Sequence, residues 1–190
     1  MNKLIIKASP SSTSFTHKIA ESYAKWVKEV WDKAEVIDLY DKTLVQSFLS
    51  FEDKKILNDD INRKKMQEKI TWADELVFIF PIWWWGLPGI LKNFFDTNLE
   101  AWFAFQYQKD GMQKLLDGKT AKVFCTCDAP GFLYKYSFLT GINLRKYMKS
   151  MIFWFCGIKL THFQIFDKMR VRDEKSRRII HRNVNEEASN

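Results

Sequence analysis

The chain has 190 residues, 46% of them hydrophobic, enough to bury a full core and few enough to predict a single domain over 1–190. Its net charge of +7 is dispersed among acids except at 168–178, where a solvated final helix accounts for the basic run and no reader motif points to nucleic acid. An odd count of three cysteines argues against a disulfide framework, the Cys125-x-Cys127 spacing suits neither a redox pair nor a metal site, and no stretch has signal-peptide or transmembrane character, so a cytoplasmic protein without a metal or membrane insertion is expected.

Leu4-Ile5-Ile6 reads as the first strand. A hydroxyl-rich loop follows, Ser9 to Thr16, and then Ile19, Ala20, Tyr23, Ala24, Val27 and Trp31 recur at helical spacing. Such a junction can hold an anion, because N–H groups at the helix start and Ser/Thr hydroxyls donate to it and the helix dipole favours it. An ordinary N-cap is the competing reading, but one hydroxyl suffices for a cap. No G-x-G-x-x-G and no complete G-x-x-x-x-G-K-[ST] is present, which argues against the dinucleotide and P-loop fingerprints.

Ala34 to Leu39 reads as a second strand, followed after Tyr40 by one or two short polar helices up to about Trp72. Leu76-Val77-Phe78-Ile79-Phe80 is apolar without alternation, as a parallel strand covered on both faces should be. Pro81 stops that ladder, Trp83, Trp84 and Trp85 follow, and a helix begins at Gly89. Adjacent side chains diverge, so at least one indole must face a cavity, a partner subunit or a flat ligand, unless the three form a packing plug.

The aromatic run Leu99 to Tyr107 ends in a Gln-Lys-Asp-Gly turn and reads as a long functional loop rather than a strand. Ala121 to Cys125 is the fourth strand, breaking at Thr126-Cys127-Asp128-Ala129-Pro130-Gly131. A long helix from about Asn143 to Phe155 stops at Gly157, Ile158 to Phe166 holds the fifth strand, and a charged helix ends the chain. Five strands alternating with helices predict an α/β fold, a doubly wound parallel sheet of order 2-1-3-4-5 in three α/β/α layers. That order sets the hydroxyl, tryptophan and Thr126 loops side by side, a phosphate pocket beside a flat slot that suits a flavin nucleotide.

The Ser9-Pro10 start with Thr13-Ser14-Phe15-Thr16, the segment FPIWWWGLPGILKNFFD, the strand ending in Thr-x-Asp and the segment FWFCGIK resemble the NAD(P)H quinone reductase family, flavodoxin-like flavoproteins also called DT-diaphorases. The resemblance runs from Lys3 to about Phe166. It implies phosphate contacts at Ser9, Ser14, Phe15 and Thr16, and flavin-edge contacts at Pro81, Ile82, Trp83, Trp84, Trp85, Thr126, Cys127, Asp128 and Tyr134. Tyr134 is the implied catalytic hydrogen-bond donor. The resemblance also implies a homodimer in which Phe105 and Tyr107 roof the other subunit's flavin. The implied cofactor is FMN, or FAD, which binds members sharing these motifs, and the resemblance implies that NAD(P)H reduces it before a quinone-like, azo or nitro acceptor takes the same place. An electron carrier and an ancillary regulator of a potassium-efflux system are the alternatives. Two departures stand out: Asp128-Ala129 replaces a Gly-Gly, which predicts that the Asp128 side chain points away or caps its own loop, and Thr140 replaces a histidine, so no histidine relay is expected.

Overall fold

The computed structural model describes residues 1–49, 61–135 and 143–189. Five strands, β1 (Asn2–Lys7), β2 (Lys33–Asp38), β3 (Glu75–Pro81), β6 (Thr120–Thr126) and β7 (Lys159–Phe166), form one sheet in the order β2-β1-β3-β6-β7 with every pairing parallel. Counted along this sheet alone, the order is the expected 2-1-3-4-5 of the flavodoxin-like fold.

The central strand explains why helices cover both faces. Leu76, Phe78 and Phe80 enter one cluster of buried residues with Leu4, Ile6, Val123 and Cys125, closed by Met66 and Ile70 of α2 (Ile61–Trp72) and by Leu91, Phe94 and Phe95 of α3 (Gly89–Asn98). Val77 and Ile79 point the other way, with Ile5 and Phe124, onto Ile19, Tyr23 and Val27 of α1 (Phe15–Glu29) and Ile180 and Val184 of α7 (Glu174–Ala188). An apolar run without alternation is therefore two alternating faces, both buried.

Three features depart from expectation. The aromatic segment is not a loop: β4 (Phe105–Gln108) and β5 (Gly111–Lys114) pair antiparallel as a hairpin, with Gln108 opposite Gly111. Lys109 and Asp110 are its two-residue turn, and Gly111 supplies a φ of 131° that other residues rarely adopt. The helical segment 144–156 is not uniform, since α5 (Leu144–Tyr147) and α6 (Trp154–Cys156) flank a π-helical stretch (Met148–Phe153). It does end as expected, at Gly157 in the left-handed region with φ 92°. A Cβ there would lie 2.9 Å from the Asp117 nitrogen, so close approach as well as conformation requires glycine. The basic run is not one solvated helix either: α7 begins only at Glu174, and Met169–Val171 is a 3₁₀ turn beforehand. A short helix, α4 (Phe132–Lys135), follows β6, and Thr140 lies outside the described residues.

At the end of the sheet away from the three loops, Glu75 is buried with its carboxylate 3.6 Å from Lys3 Nζ and 3.5 Å from Lys122 Nζ, and Tyr23 donates its hydroxyl to it at 3.0 Å. Lys3 also donates to the carbonyl of Ala188 at 2.7 Å, and Lys122 to that of Glu187. Two ammonium groups thus meet the last carbonyls of α7, where the helix dipole favours positive charge. Replacing Glu75 by Gln leaves both buried ammoniums without their shared counter-charge and is expected to cost about 3 kcal/mol, read as a lowered urea midpoint at unchanged slope.

Candidate functional site

Parallel strands deliver their C-terminal ends to one rim, and four connections meet there. A cleft of about 460 Å³ is lined by Ser14, Phe15 and Thr16 after β1, Pro81 to Trp85 after β3, Thr126 to Ala129 after β6 with Tyr134 of α4, and Met169 after β7. Its volume is that of a site for a small ligand. Every residue named for cofactor binding or catalysis lines it except Ser9. Ser9 is buried beneath and bonds Ser14, hydroxyl to hydroxyl, at 2.8 Å.

Ser14 is the N-cap of α1 and accepts from the His17 N–H at 3.1 Å. The next N–H groups, of Phe15 and Thr16, have no acceptor among the described residues, and no acid occupies the first turn. Open N–H groups at the start of a 15-residue helix are the kind of donors, on the positive end of a helix dipole, that an anion accepts from. The Thr16 hydroxyl is spent elsewhere, on Thr126 Oγ1 at 2.7 Å, where it fastens the first loop to the third.

The tryptophans adopt strained backbone. Trp83 and Gly86 exchange hydrogen bonds, Trp83 N–H to Gly86 O at 3.2 Å and Gly86 N–H to Trp83 O at 2.9 Å. The two residues between them, Trp84 and Trp85, have φ of 50° and 65°. Positive φ at both centres is the type I′ pattern, normally given to Asn and Gly. For a bulky side chain it costs about 1–2 kcal/mol per residue. The result is divergence: Trp84 stands 98% exposed, Trp83 is 42% exposed, and Trp85 packs on Tyr134 with ring centroids 4.6 Å apart. Strain of this kind gathers at functional sites.

The third loop is held from behind. Cys127 N–H donates to Phe166 O at 2.9 Å and Gly131 N–H to Asp167 Oδ2 at 2.7 Å, while the Asp128 and Ala129 N–H groups have no acceptor among the described residues. A Cβ on Gly131 would meet that same oxygen at 3.0 Å. Burial opposes ionisation of Asp167, but the Gly131 bond and the Arg172 guanidinium, 2.7 Å away, outweigh it and hold the carboxyl below the usual carboxylate range. Asp128 neither caps its own loop nor faces the cleft floor. It accepts from Arg170 N–H at 2.9 Å, with the Arg170 guanidinium 3.4 Å away, so the carboxylate is turned onto the strap after β7.

Burial pushes the Cys127 thiol up to about 11, and burial together with Cys127 raises Tyr134 as well. Tyr134 therefore carries its proton at neutral pH and is a donor. The histidines are structural: His17 bonds Lys7 and Glu21, His162 lies on Phe124, and His181 meets Phe15 edge-on. Phe105 and Tyr107 lie outside the cleft. Phe105 packs on Phe155 of α6, and Tyr107 is exposed. Sequence reasoning missed Met169 and the Asp167 latch, for which the only signal was that the fifth strand must end at the same rim; Ala129 lies in the loop 126–131, whose backbone amides were expected to face the ring.

The family described as having a flavodoxin-like fold matches residues 1–187. The chain is similar to an uncharacterized NAD(P)H oxidoreductase of Haemophilus influenzae, 30% identical over 182 residues that cover 94% of this chain and 89% of that one. It is similar to an FMN-dependent NADH:quinone oxidoreductase of Caldicellulosiruptor bescii, 35% identical over 132 residues that cover 62% and 63% of the two chains. A solved NAD(P)H:quinone oxidoreductase from Methanothermobacter marburgensis superposes with a TM-score of 0.83 at 25% identity, covering 100% of this chain and 98% of that one.

Relieving the turn should separate stability from binding. Trp84→Gly is expected to raise stability by about 1 kcal/mol in urea unfolding, while its affinity for FMN falls; a variant less stable than the parent would show that the turn is unstrained. The Asp167 latch contributes stability that is complete above the unfolded carboxyl pKa of about 3.9 and is lost as pH falls through the lower folded value. Asp167→Asn should therefore cost roughly 1–2 kcal/mol at neutral pH, and the gap to the parent should shrink only below about pH 4, as measured by urea unfolding across pH.

Proposed function

The chain belongs to the flavodoxin-like fold family, and on that premise we propose that it is an FMN-dependent NAD(P)H:quinone oxidoreductase whose electron exchange takes place in the cleft beneath the Trp83–Gly86 turn. The observation that carries this reading is the joining, within one cleft, of an acceptor-free helix N-terminus to a slot walled by indoles and a phenol. One phosphate and one wide planar ring, the two ends of FMN, match those two ends. The similar Caldicellulosiruptor protein is named for the same cofactor.

The Phe15 and Thr16 N–H groups and the Ser14 hydroxyl bind the phosphate, with Ser9 holding Ser14 in place. Thr16 and Thr126 keep the phosphate and ring ends in register through their shared hydroxyl bond. When bound, FMN supplies two-electron hydride chemistry between NAD(P)H and a quinone-like acceptor. Pro81, Ile82, Trp83 and Trp85 with Cys127 wall the ring and exclude water, and Trp84 stands over the opening. The N–H groups of Asp128 and Ala129 meet negative charge at the ring edge, and turning the Asp128 carboxylate onto Arg170 keeps it from opposing that charge. Tyr134 holds its proton and donates a hydrogen bond to the reacting molecule.

Phe105 and Tyr107 reach no part of their own cleft, and the exposed side chains of Trp102, Tyr107, Met151 and Trp154 supply an apolar face. Both facts support a homodimer in which each hairpin roofs the partner's cleft. Among the described residues no helix is long and apolar enough to cross a membrane, and the reading places the enzyme in the cytoplasm.

Calorimetry of the flavin-free protein with FMN and with riboflavin tests the phosphate end. FMN is expected to bind about 100-fold tighter, as two hydrogen bonds to a charged group require. The loaded protein is then mixed with NADH or NADPH and menadione. Equal affinity for the two flavins, or no consumption of either reduced nucleotide, would remove the reading.

A further inference from the structure

The proposed activity gives the cations of the strap after β7 no ligand to bind, since Arg170 there only holds Asp128 away from the ring edge, and the strap opens the basic run of the sequence. We propose that this strap is an anion-reading rim: Arg170 and Lys168 receive an anionic oxygen group carried by the planar molecule that exchanges electrons in the cleft. The inference rests on the oxidoreductase reading above and adds a specificity site to it.

The backbone of the strap is pinned to the cleft floor. Met169 N–H donates to Cys127 O at 3.1 Å, Arg170 N–H to Asp128 Oδ1 at 2.9 Å, and Arg177 holds the Met169 carbonyl at 3.2 Å. Lys168 takes the left-handed region with φ 51°, which turns the chain sharply out of β7. With Met169 directed into the cleft, its two neighbours, Lys168 and Arg170, are left exposed along the edge.

The four cations of this region divide into two kinds. Arg172 is committed to Asp167 through two bonds of 2.7 Å, and Arg177 to the Met169 carbonyl and the Phe15 ring. They are structural. Arg170 is 84% exposed, and its guanidinium has a single loose tie, 3.4 Å to the half-exposed Asp128. An exposed pair at that separation is worth little, so the fork is available to swing onto a better partner. Lys168 has no ion pair among the described residues. The acids near the cleft, Asp128 and Asp167, already have partners, and Asp173 beyond the strap accepts from Ser176 N–H.

A planar guanidinium beside an ammonium suits phosphate, sulfonate or carboxylate oxygens, which accept a two-pronged bond. Two sources carry such a group to this cleft: the phosphates of the nicotinamide nucleotide, or an acidic substituent on the acceptor. Neither the ring wall nor the phosphate end at Phe15 and Thr16 provides for it, since both are occupied by the cofactor.

The test is calorimetric binding to the FMN-loaded protein at low salt, with three probes: NADP⁺, 1,4-naphthoquinone-2-sulfonate and neutral 1,4-naphthoquinone. The double variant Lys168→Gln, Arg170→Gln is expected to bind at least one anionic probe roughly tenfold more weakly while its affinity for the neutral quinone stays within about twofold. Arg170→Lys in the otherwise native chain should lose less affinity than the double variant but more than none, because an ammonium keeps the charge and not the two-pronged bond, and the native preference should fade near 0.5 M salt, where screening is strong (on the order of 4 Å). Loss for NADP⁺ alone assigns the rim to the nucleotide phosphates; loss for the sulfonate alone assigns it to acidic acceptors. Unchanged anion binding in the double variant, an equal loss for the neutral quinone, or a native protein that favours neither anionic probe overturns the proposal. Failure of the native enzyme to oxidise either reduced nucleotide would instead sink the parent reading, and the binding comparison would still decide the rim.

Discussion

The parallel pairing of β3 with both its neighbours is the constraint on which the rest depends. Ile79 lies opposite Lys7 of β1 and Phe124 of β6, and Pro81 opposite Thr126, so the three chains run out of ladder at the same level. Nothing about the individual loops would bring them together otherwise, because Ser14, Trp84 and Asp128 are far apart in sequence. Burial of β3 on both faces also prevents slippage: a shift of one residue would exchange Phe78 and Phe80 with Val77 and Ile79, and the two helical layers are shaped for different volumes. The cleft inherits its precision from that register.

At the rim, most backbone donors are consumed in fixing the loops to one another, and the few that remain define what can be bound. Cys127 and Gly131 spend theirs on β7 and its following residue, Met169 spends its own on Cys127, and Thr16 and Thr126 spend hydroxyls on each other. The donors left over fall at the two ends of the cleft, Phe15 and Thr16 at one and Asp128 and Ala129 at the other. Rigid loops with a small, separated set of open donors are what a site requires if binding is not to cost ordering of the protein as well. The tryptophan turn is the exception to this economy, since it holds positive φ at two bulky residues and exposes one almost fully. Such a conformation persists because the reciprocal Trp83–Gly86 bonds and the Trp85–Tyr134 packing impose it.

Much of this was legible in the chain because the signals were local. The unbroken run Leu76 to Phe80 announces burial on both faces, the spacing of Ile19, Tyr23 and Val27 announces α1, and Gly157 ends a helix where the left-handed cap demands it. The sheet order then follows from topology, and with it the meeting of the three loops. What could not be read depends on distant partners. Phe105-Gln106-Tyr107-Gln108 alternates as a strand should, but it is only four residues at the end of a non-alternating aromatic run and its partner Gly111 to Lys114 holds a single apolar residue, so the Lys109-Asp110-Gly111 turn was the main hint of a hairpin. That Asp128 points away was expected from the sequence, but not that Arg170, 42 residues later, is what holds it. The π-helical stretch over Met148–Phe153 has no composition that marks it in the sequence.

The final helix connects the stability of the fold to the shape of the site. Its last carbonyls are held by Lys3 and Lys122 at the far end of the sheet, and both ammoniums are kept there by the buried Glu75 carboxylate. Toward its start, Arg177 donates to the Met169 carbonyl and lies over the Phe15 ring, while His181 meets Phe15 from the side. Phe15 supplies one of the two open N–H groups, and Met169 lines the same cleft. One rigid helix, fastened at both ends, therefore sets the distance between the helix-α1 terminus and the strap after β7. A change at the ionic network, remote from any ligand, has a physical route to the cleft: it alters where α7 sits, and α7 carries the side chains that back both walls.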